Sequence, residues 1–250
     1  FRNNGRPLQM KVMTFNIRNA IADDGENSWK YRKNAVFDYL SKSNAEIICM
    51  QEVVPEVKKE MQAFLSDKYS FVGKGRLAEP REDDEINLVA YKKNKFDLKN
   101  SSHFWLSDTP QVAGSRYPTQ KFWPRTCTAA DFCGADGAFS LFATHLDNAD
   151  PVAREKGFAL ILGRAANKEK VLICGDFNEE PEVVLRWIPK EYIDLSGGLI
   201  DTFHGYGKER GKIDYIFGKG GFRAEKIVCD RTMRDGGFLS DHYPVWAEII

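Results

Sequence analysis

The segment KVLICGDFN, residues 170–178, decides the fold because it joins a buried strand to a group of polar residues. Its run VLIC is apolar at every position, which is typical of a strand that is covered on both faces of a sheet. The segment EIIC at residues 46–49 has the same character. Strands of this kind need helices or a second sheet around them, so the two segments favour an α/β protein.

Short β-rich segments recur along the chain and alternate with a few amphipathic helices. The predicted strands are Lys11–Asn16, Ala45–Gln51, Asn87–Lys92, Cys127–Cys133, Phe139–His145, Lys170–Gly175, Ile213–Phe217, Lys226–Cys229 and Tyr243–Ile250. The predicted helices are Trp29–Lys42, Pro55–Ser66 and residues 151–167. In the second helix, the predicted inward face is Val57, Met61, Phe64 and Leu65. The stretches Leu77–Asp84 and Gly114–Trp123, rich in charge, Pro and Gly, indicate exposed loops.

This order of elements predicts one domain over residues 1–250. We expect two mixed β-sheets that pack face to face and are flanked by helices, which is a four-layer α/β sandwich. With 250 residues and 42% hydrophobic content, such a chain can bury roughly three quarters of its unfolded surface in one core.

The charge balance limits the possible partners. Lys plus Arg and Asp plus Glu both number 36, so the formal net charge is zero. A dedicated nucleic-acid binder usually has a basic excess, so this balance weighs against tight, sequence-independent binding of duplexes. No run approaches the about 20 apolar residues that a membrane helix needs, and we expect no membrane span.

The five cysteines are an odd number and include no C-x-x-C pair, so reduced thiols are expected. A disulfide between Cys127 and Cys133 is the alternative that stays open, because these residues could face each other across a hairpin.

Several apolar strands end in a carboxylate, an amide or an imidazole, where the chain leaves the core. The residues at these strand ends are Asn16, Glu52, His145, Asp147, Asp176, Asn178, Ser240, Asp241 and His242. Taken singly, each has a structural explanation: Asp176 as a turn or helix cap, His145 as a core histidine, and Glu52 as the acid before a helix. Their occurrence together favours a reactive cleft.

The order NIR, QE, THLD, GDFN, IDYIF and SDHYPV closely resembles the endonuclease/exonuclease/phosphatase superfamily, from Lys11 to Val245. The resemblance implies a two-sheet α/β sandwich, a divalent metal and hydrolysis of phosphate esters. NIR and the stretch FWLSDTP at residues 104–110 resemble a branch of secreted-type bacterial members related to deoxyribonucleases. That branch implies a secreted or periplasmic location, and a cytoplasmic one stays open. Arg18 stands where repair endonucleases have an acid, which argues against a role in abasic-site repair.

The resemblance also implies roles for individual residues. The implied metal site is Asn16, Glu52 and Asp241. The implied catalytic residues are His145, Asp176, Asn178, Asp214, His242, Glu85 and Arg125. Among them, Asp176 and Asn178 would position the attacking water and a phosphate oxygen. Asp214 would support His242, Glu85 would orient His145, and Arg125 would contact phosphate.

The chemistry of these groups suits magnesium. Hard oxygen ligands such as carboxylates favour Mg²⁺, with Mn²⁺ as a substitute, and the bound cation stabilises charge on the phosphoryl oxygens. We assign activation of water to His242, with Asp176 competing for that role, and transition-state stabilisation or protonation of the leaving oxygen to His145. A zinc site of His145, Asp147 and His242 is the alternative.

The expected function is therefore metal-dependent cleavage of a phosphate ester by in-line attack of water, in a protein expected to be a monomer. The substrate could be a nucleic acid, a phospholipid such as sphingomyelin, or a small phosphodiester. A binding module that keeps the cleft but performs no catalysis is the rival from another class. His204 is expected in a loop near the cleft. The side chains of Phe104, Trp105, Phe122 and Trp123 either form an aromatic wall or belong to the core.

Overall fold

The computed structural model describes residues 9–231, 233 and 237–250, and these residues form two six-stranded sheets. The first sheet contains, in spatial order, β11 (Ala224–Cys229), β12 (Val245–Ile249), β1 (Met10–Asn16), β2 (Ile47–Val53), β4 (Ile86–Lys92) and β3 (Tyr69–Val72). The second contains β5 (Asp97–Trp105), β6 (Thr126–Gly134), β7 (Gly137–His145), β8 (Val171–Asp176), β10 (Asp214–Lys219) and β9 (Tyr192–Asp194). Both sheets mix parallel and antiparallel pairs.

Helices cover the outer face of each sheet. The helices α1 (Trp29–Lys42) and α2 (Pro55–Leu65) share an apolar cluster with the first sheet. The helices α3 (Pro151–Ala165) and α4 (Pro181–Trp187) share another with the second sheet. Proline stands in the first turn of α2, α3 and α4, where its missing N–H costs nothing. The predicted four-layer sandwich is confirmed.

The central core lies between the two sheets. Its residues come from alternate positions of the facing strands, for example Val12 and Ile47 in the first sheet and Leu141, Leu172 and Ile216 in the second. All five are fully buried, and each contributes about 1.5–3 kcal/mol relative to an exposed side chain. Because side chains alternate along a strand, Met13 and Phe15 of β1 face the helices instead. Both faces of such a strand are apolar, as the sequence indicates.

Strand register places polar residues side by side at one end of the sandwich. In the parallel pair β7 and β8, His145 lies opposite Asp176. In the antiparallel pair β8 and β10, Asp176 lies opposite Asp214. In the parallel pair β1 and β2 of the other sheet, Asn16 lies opposite Gln51, next to Glu52. The ends of five strands thus meet at one edge.

All nine predicted strands are present, and among the strands and α-helices of the described residues the prediction missed four. The missed elements are β3, β5, β9 and α4. The edge strand β5 is largely exposed and has the sequence DLKNSSHFW, so it lacks the apolar pattern that marks a buried strand. The strand β9 has only three residues and α4 only seven, and elements of this length leave little periodicity in a sequence.

The alternative of a bonded cysteine pair is excluded, and one prediction about an inward-facing side chain is wrong. Cys127 and Cys133 both belong to β6 and are six residues apart along one extended strand, which is roughly 20 Å. They cannot face each other, and all five cysteines are free thiols. Phe64 of α2 is 55% exposed rather than inward-facing, although its ring lies 5.5 Å from that of Phe37.

None of the helices in the described part of the chain has both the length and the apolar character needed to cross a bilayer.

Candidate active site

A cleft of about 720 Å³ opens where the strand ends meet. Eight of the ten residues predicted for the site line it: Glu52, Glu85, Arg125, His145, Asp176, Asn178, Asp241 and His242. The other two, Asn16 and Asp214, are buried directly behind them and contact them. A separate cavity of about 360 Å³ lies at the opposite end of the sheets beside Phe96 and Phe139, and its lining contains no histidine.

Asp176 is the centre of the cleft floor. Its Oδ2 atom lies 3.4 Å from Nε2 of His145 and 3.6 Å from Nε2 of His242. Oδ2 also accepts a hydrogen bond of 3.0 Å from Nδ2 of Asn16. Its Oδ1 accepts one of 2.9 Å from the backbone N–H of Asn178. A carboxylate between two imidazoles is an arrangement suited to moving a proton.

His242 is oriented from behind by a second carboxylate. Its Nδ1 atom lies 2.9 Å from Oδ2 of Asp214, so Nε2 points toward Asp176. The ring of Phe203 packs on the imidazole with a centroid distance of 4.9 Å. A carboxylate bonded to Nδ1 fixes the tautomer and stabilises the charged ring. The predicted pairing of Asp214 with His242 has the expected contact.

The expected hydrogen bond between Glu85 and His145 does not form. Glu85 instead accepts from Nδ2 of Asn19 at 2.8 Å and from a terminal nitrogen of Arg76 at 2.6 Å. The bridge between Gly75 and Ile86 places Arg76 beside Glu85, the residue that precedes β4. The Glu85 carboxylate therefore pairs with the Arg76 guanidinium and not with His145. Glu85 and Arg76 nevertheless line the cleft together with His145.

The protonation states of the three central groups differ. Burial raises the pKa of Asp176 to about 7, with repulsion from Asp214 adding to the effect and His242 opposing it. Burial works against the charge on His242, but the attraction of Asp214 and Asp176 prevails and raises its pKa to about 10. Burial lowers the pKa of His145 well below its usual value, and the charges of Arg125 and Arg76 lower it further. At neutral pH, His242 is charged and His145 is neutral.

Glu52 reaches the cleft through an irregular backbone. The register of β2 shifts between Met50 and Val53, and Glu52 has a φ of 62°, which an ordinary strand residue does not adopt. Its Oε1 accepts from Nδ2 of Asn16 at 3.0 Å, and its Oε2 accepts from the backbone N–H of Asn19 at 2.7 Å. Backbone strain of this kind at a cleft is often functional.

Asp241 is a second carboxylate near Glu52. Burial raises its pKa, and the charge of Glu52 raises it further, while His242 and Arg18 oppose the shift. The Oγ of Ser240 donates a hydrogen bond of 3.1 Å to its Oδ1. Two carboxylates that repel each other at the edge of a cleft form a donor set suited to a hard divalent cation.

Arg18 places a permanent cation beside this pair. Its Nε lies 3.8 Å from Oδ2 of Asp241, and its guanidinium donates two hydrogen bonds of 2.9 Å to Asp24. Repair endonucleases have an acid at the position of Arg18. In this protein the position carries a fixed positive charge next to Asp241.

A different set of ligand atoms, from Asp176, Asp214 and His242, lies within 4.8 Å of one another. Asp214 and His242 are already bonded to each other at 2.9 Å, so we interpret this set as a hydrogen-bonded network. The zinc alternative is not supported. Asp147 accepts hydrogen bonds from Gln120 and from the backbone N–H groups of Ala149 and Asp150, and it does not belong to the cleft lining.

Arg125 and Asn178 complete the predicted set. Arg125 donates a hydrogen bond of 3.0 Å to Asn148, and its Nε lies 3.7 Å from Oδ2 of Asp147, which is an ion pair without a hydrogen bond. Asn178 has a φ of 50° and donates from Nδ2 to the carbonyl of Leu146 at 3.0 Å, which fixes its amide at the cleft.

Sequence reasoning missed some residues of the cleft. Arg76 and Asn19 were not predicted, because they come from loops whose sequence shows no pattern. His204 does not belong to the cleft lining: it is buried between Phe238 and Tyr243, with ring centroids at 4.6 and 4.1 Å. The four aromatic residues divide between the two expected roles: Phe104 belongs to the core, Trp105 bonds through Nε1 to the carbonyl of Arg76, and Phe122 and Trp123 line the cleft.

The sequence and the fold of this chain are similar to those of known proteins. Residues 13–242 match the model of the family described as "Endonuclease/Exonuclease/phosphatase family". No curated protein matches the sequence.

Several solved structures have the same fold. An endonuclease/exonuclease/phosphatase from Bacteroides vulgatus is 25% identical with a TM-score of 0.89, and the match covers 98% of this chain and 99% of that one. A functionally unknown conserved protein from Enterococcus faecalis is 28% identical with a TM-score of 0.86, covering 96% and 99%. A mannosyl-6-phosphatase from Bacteroides thetaiotaomicron is 24% identical with a TM-score of 0.84, covering 96% and 99%.

Proposed function

Because the chain belongs to the endonuclease/exonuclease/phosphatase family, we propose that it is a magnesium-dependent hydrolase of phosphate esters. The observation that carries the proposal is the position of Asp176, whose Oδ2 lies within 3.6 Å of Nε2 in both His145 and His242. The contacts of Asp214, Asn16 and Asn178 hold these groups in place.

Glu52 and Asp241 would hold the cation, Mg²⁺ or in its place Mn²⁺. Asn16 donates one hydrogen bond to Glu52 and another to Asp176, so its amide links the metal site to the reacting centre. In this role Asn16 orients Glu52 and need not be a ligand itself. A bound divalent cation supplies positive charge to the phosphoryl oxygens as negative charge develops on them.

Asp176 is the general base in our proposal. A pKa of about 7 makes it a carboxylate that can accept a proton near neutral pH. The sequence assigns this role to His242 with Asp176 competing for it, and a pKa of about 10, which leaves the His242 ring charged, favours Asp176. Asn178, fixed by Leu146, would hold the attacking water or a phosphate oxygen.

The proton transfers balance. The oxygen of water forms a bond to phosphorus, the ester P–O bond breaks, and the proton of the water passes to Asp176. The leaving oxygen takes the Nε2 proton of His242, and both groups then exchange protons with solvent. Neutral His145 and charged Arg125 stabilise the phosphoryl oxygens, which is the electrostatic part of catalysis.

The rival proposal is a binding module that keeps the cleft without catalysis. The position of Asp176, within 3.6 Å of Nε2 in both His145 and His242, favours an enzyme, because acid–base groups held together in a cleft are typical of catalytic sites.

The test is a screen of the purified protein with Mg²⁺ against plasmid DNA, RNA, sphingomyelin, phosphoinositides and chromogenic phosphate esters. We expect hydrolysis of at least one class, and loss of about a hundredfold or more in turnover for His242→Ala with the fold retained. Binding of phosphate compounds without turnover of any of them would favour the rival.

We also propose that residues 1–250 form one catalytic domain, that the protein acts as a monomer, and that it works in a secreted or periplasmic location.

A further inference from the structure

Two of the arginines of the cleft lie together on one wall, beside His145. Three arginines line the cleft, and no lysine does within the described part of the chain. Arg18 is held by two hydrogen bonds to Asp24. Arg76 donates to Glu85 and Nε of Arg125 lies 3.7 Å from Oδ2 of Asp147, and these two guanidiniums share one wall of the cleft with His145. A polynucleotide presents a row of phosphates and is bound by several basic side chains, whereas two arginines on one wall suit a single phosphate.

Arg76 and Arg125 have unused hydrogen-bonding capacity. Each is only 6% exposed, and Nε of each has no hydrogen-bond partner among residues 9–231, 233 and 237–250. With His145 they border a recess of about 10 Å³ beside the cleft. Buried donors without acceptors are costly, and the oxygens of a phosphate at this wall would satisfy them.

The rigid placement of Arg76 also suits this role. A terminal nitrogen of its guanidinium donates to Glu85 at 2.6 Å, and its central carbon lies 5.1 Å from the ring centroid of Trp123. A guanidinium fixed by a carboxylate and an aromatic ring is pre-organised, so it loses little conformational entropy when it binds an anion.

The mouth of the cleft has a different chemistry from its floor. Phe122 is 56% exposed and Trp123 is 42% exposed, and both line the cleft. The carboxylates of Asp83 and Glu209 also line it. Aromatic surface packs against the apolar face of a sugar ring, and carboxylates accept hydrogen bonds from hydroxyl groups. Asp83 is paired with Arg81, so Glu209 is the acid that would repel a second phosphate placed near it.

We propose that the cleft takes an ester with one phosphate on a neutral, hydroxyl-bearing ring, as in a sugar phosphate. Arg76 and Arg125 bind the phosphate, and Phe122 packs against the ring. This inference rests on the proposed hydrolysis of phosphate esters and names its substrate class.

The first test compares substrates of the wild-type protein with Mg²⁺. We expect kcat/KM for glucose 6-phosphate or mannose 6-phosphate to exceed that for bis(p-nitrophenyl) phosphate, single-stranded DNA and sphingomyelin vesicles by at least about tenfold. A preference for the diester, the DNA or the lipid overturns the inference and leaves the proposed function standing.

The second test separates the two parts of the subsite. Inorganic phosphate, used as a competitive inhibitor, reports on binding of the phosphate without the ring. We expect Arg76→Lys to raise its Ki by about fivefold or more, because an ammonium lacks the fork geometry of the guanidinium. We expect Phe122→Ser to leave that Ki within about twofold while raising KM for the hexose phosphate by about fivefold or more.

Matched controls guard against effects on the fold. Tyr31→Ser removes another exposed aromatic side chain, on α1 and outside the cleft lining, and should change neither constant. The double variant Arg76→Gln with Glu85→Gln removes a buried ion pair without leaving one charge unpaired, and it should raise the Ki as well. An unchanged Ki in both arginine variants overturns the assignment of Arg76.

If the wild-type protein hydrolyses no ester, calorimetry with mannose 6-phosphate decides between the two proposals. Binding that Phe122→Ser weakens would support the subsite although the hydrolysis fails, and absence of binding would overturn the subsite too.

Discussion

The Nε2 atom of His242 lies 3.6 Å from Oδ2 of Asp176. The imidazole of His242 is charged at neutral pH, and the Asp176 carboxylate that it faces has a pKa of about 7. The two groups belong to different sheets, His242 preceding β12 and Asp176 ending β8. Their contact depends on the packing of the two sheets. Together with burial and with Asp214, this contact determines the protonation of Asp176 and His242 on which the proposed reaction depends.

The first prediction concerns the pH dependence of kcat/KM. Asp176 accepts a proton only when it is deprotonated, so activity should rise as the pH increases through about 7. His242 must be charged, so activity should fall as the pH increases through about 10. Initial rates between pH 5 and 11 measure the profile, and a maximum below pH 6 would contradict the assignment.

The second prediction concerns Asp214→Asn. Attraction by Asp214 is the main influence that raises the pKa of His242 against the effect of burial. Its removal should move the alkaline limb of the profile to lower pH by about one unit or more and reduce turnover by at least about tenfold. Asp38→Asn, an exposed residue paired with Lys42, is the control and should leave the profile unchanged. An alkaline limb that does not move would show that Asp214 has only a structural role.

The third prediction concerns Glu52→Gln. The amide keeps an oxygen that can accept from Asn16 but lacks the negative charge that a divalent cation needs. Titration calorimetry with Mn²⁺ or Mg²⁺ should therefore give an affinity at least about tenfold weaker. The rise in melting temperature with added cation should shrink in parallel, because only a ligand that binds the folded state stabilises it.

The control for this variant is Glu60→Gln, which removes a carboxylate of a surface pair with Lys33. Equal affinity in Glu52→Gln and wild type would place the cation elsewhere.

The fourth prediction concerns Gly175→Ala, one residue before Asp176. A Cβ at this position would lie 2.0 Å from the carbonyl oxygen of Thr144, which is backbone of the neighbouring strand β7. The strands would have to separate where His145 and Asp176 are paired, so we expect a loss of about 2–3 kcal/mol in the free energy of unfolding and a lower kcat.

Urea unfolding measures that change. Gly163→Ala in α3 is the matched control, since nothing lies within 4 Å of its added Cβ. It should stabilise the protein by about 0.5–1 kcal/mol. Equal stability of the two variants would show that the strand pair tolerates the insertion.

The sequence predicts those parts of the molecule that depend on local pattern. The run VLIC is apolar at every position, as in a strand buried on both faces, and the segment Trp29–Lys42 has an apolar face at helical spacing. Asp176 and His242 could be predicted because each follows or precedes a strand at the edge where strand ends converge.

Features that depend on contacts between distant segments could not be predicted. Glu85 meets Arg76 rather than His145 because of the register at a loop, and no local pattern encodes that choice. The protonation of His242 depends on burial and on two carboxylates from other strands, so the sequence left the choice of base open. The exposed edge strand β5 lacks an apolar stripe, and its pairing with β6 is what makes it a strand.

The most direct test of the account is the release of phosphate or alcohol from a chromogenic phosphate ester by wild type and Asp176→Asn, each with Mg²⁺ and with a chelator. The asparagine keeps the shape of the side chain but cannot accept the proton of water. The account predicts turnover that requires Mg²⁺ in the wild type and falls by about a hundredfold or more in the variant, with an unchanged circular dichroism spectrum. Wild-type turnover that persists in the chelator, or a variant as active as wild type, would contradict it.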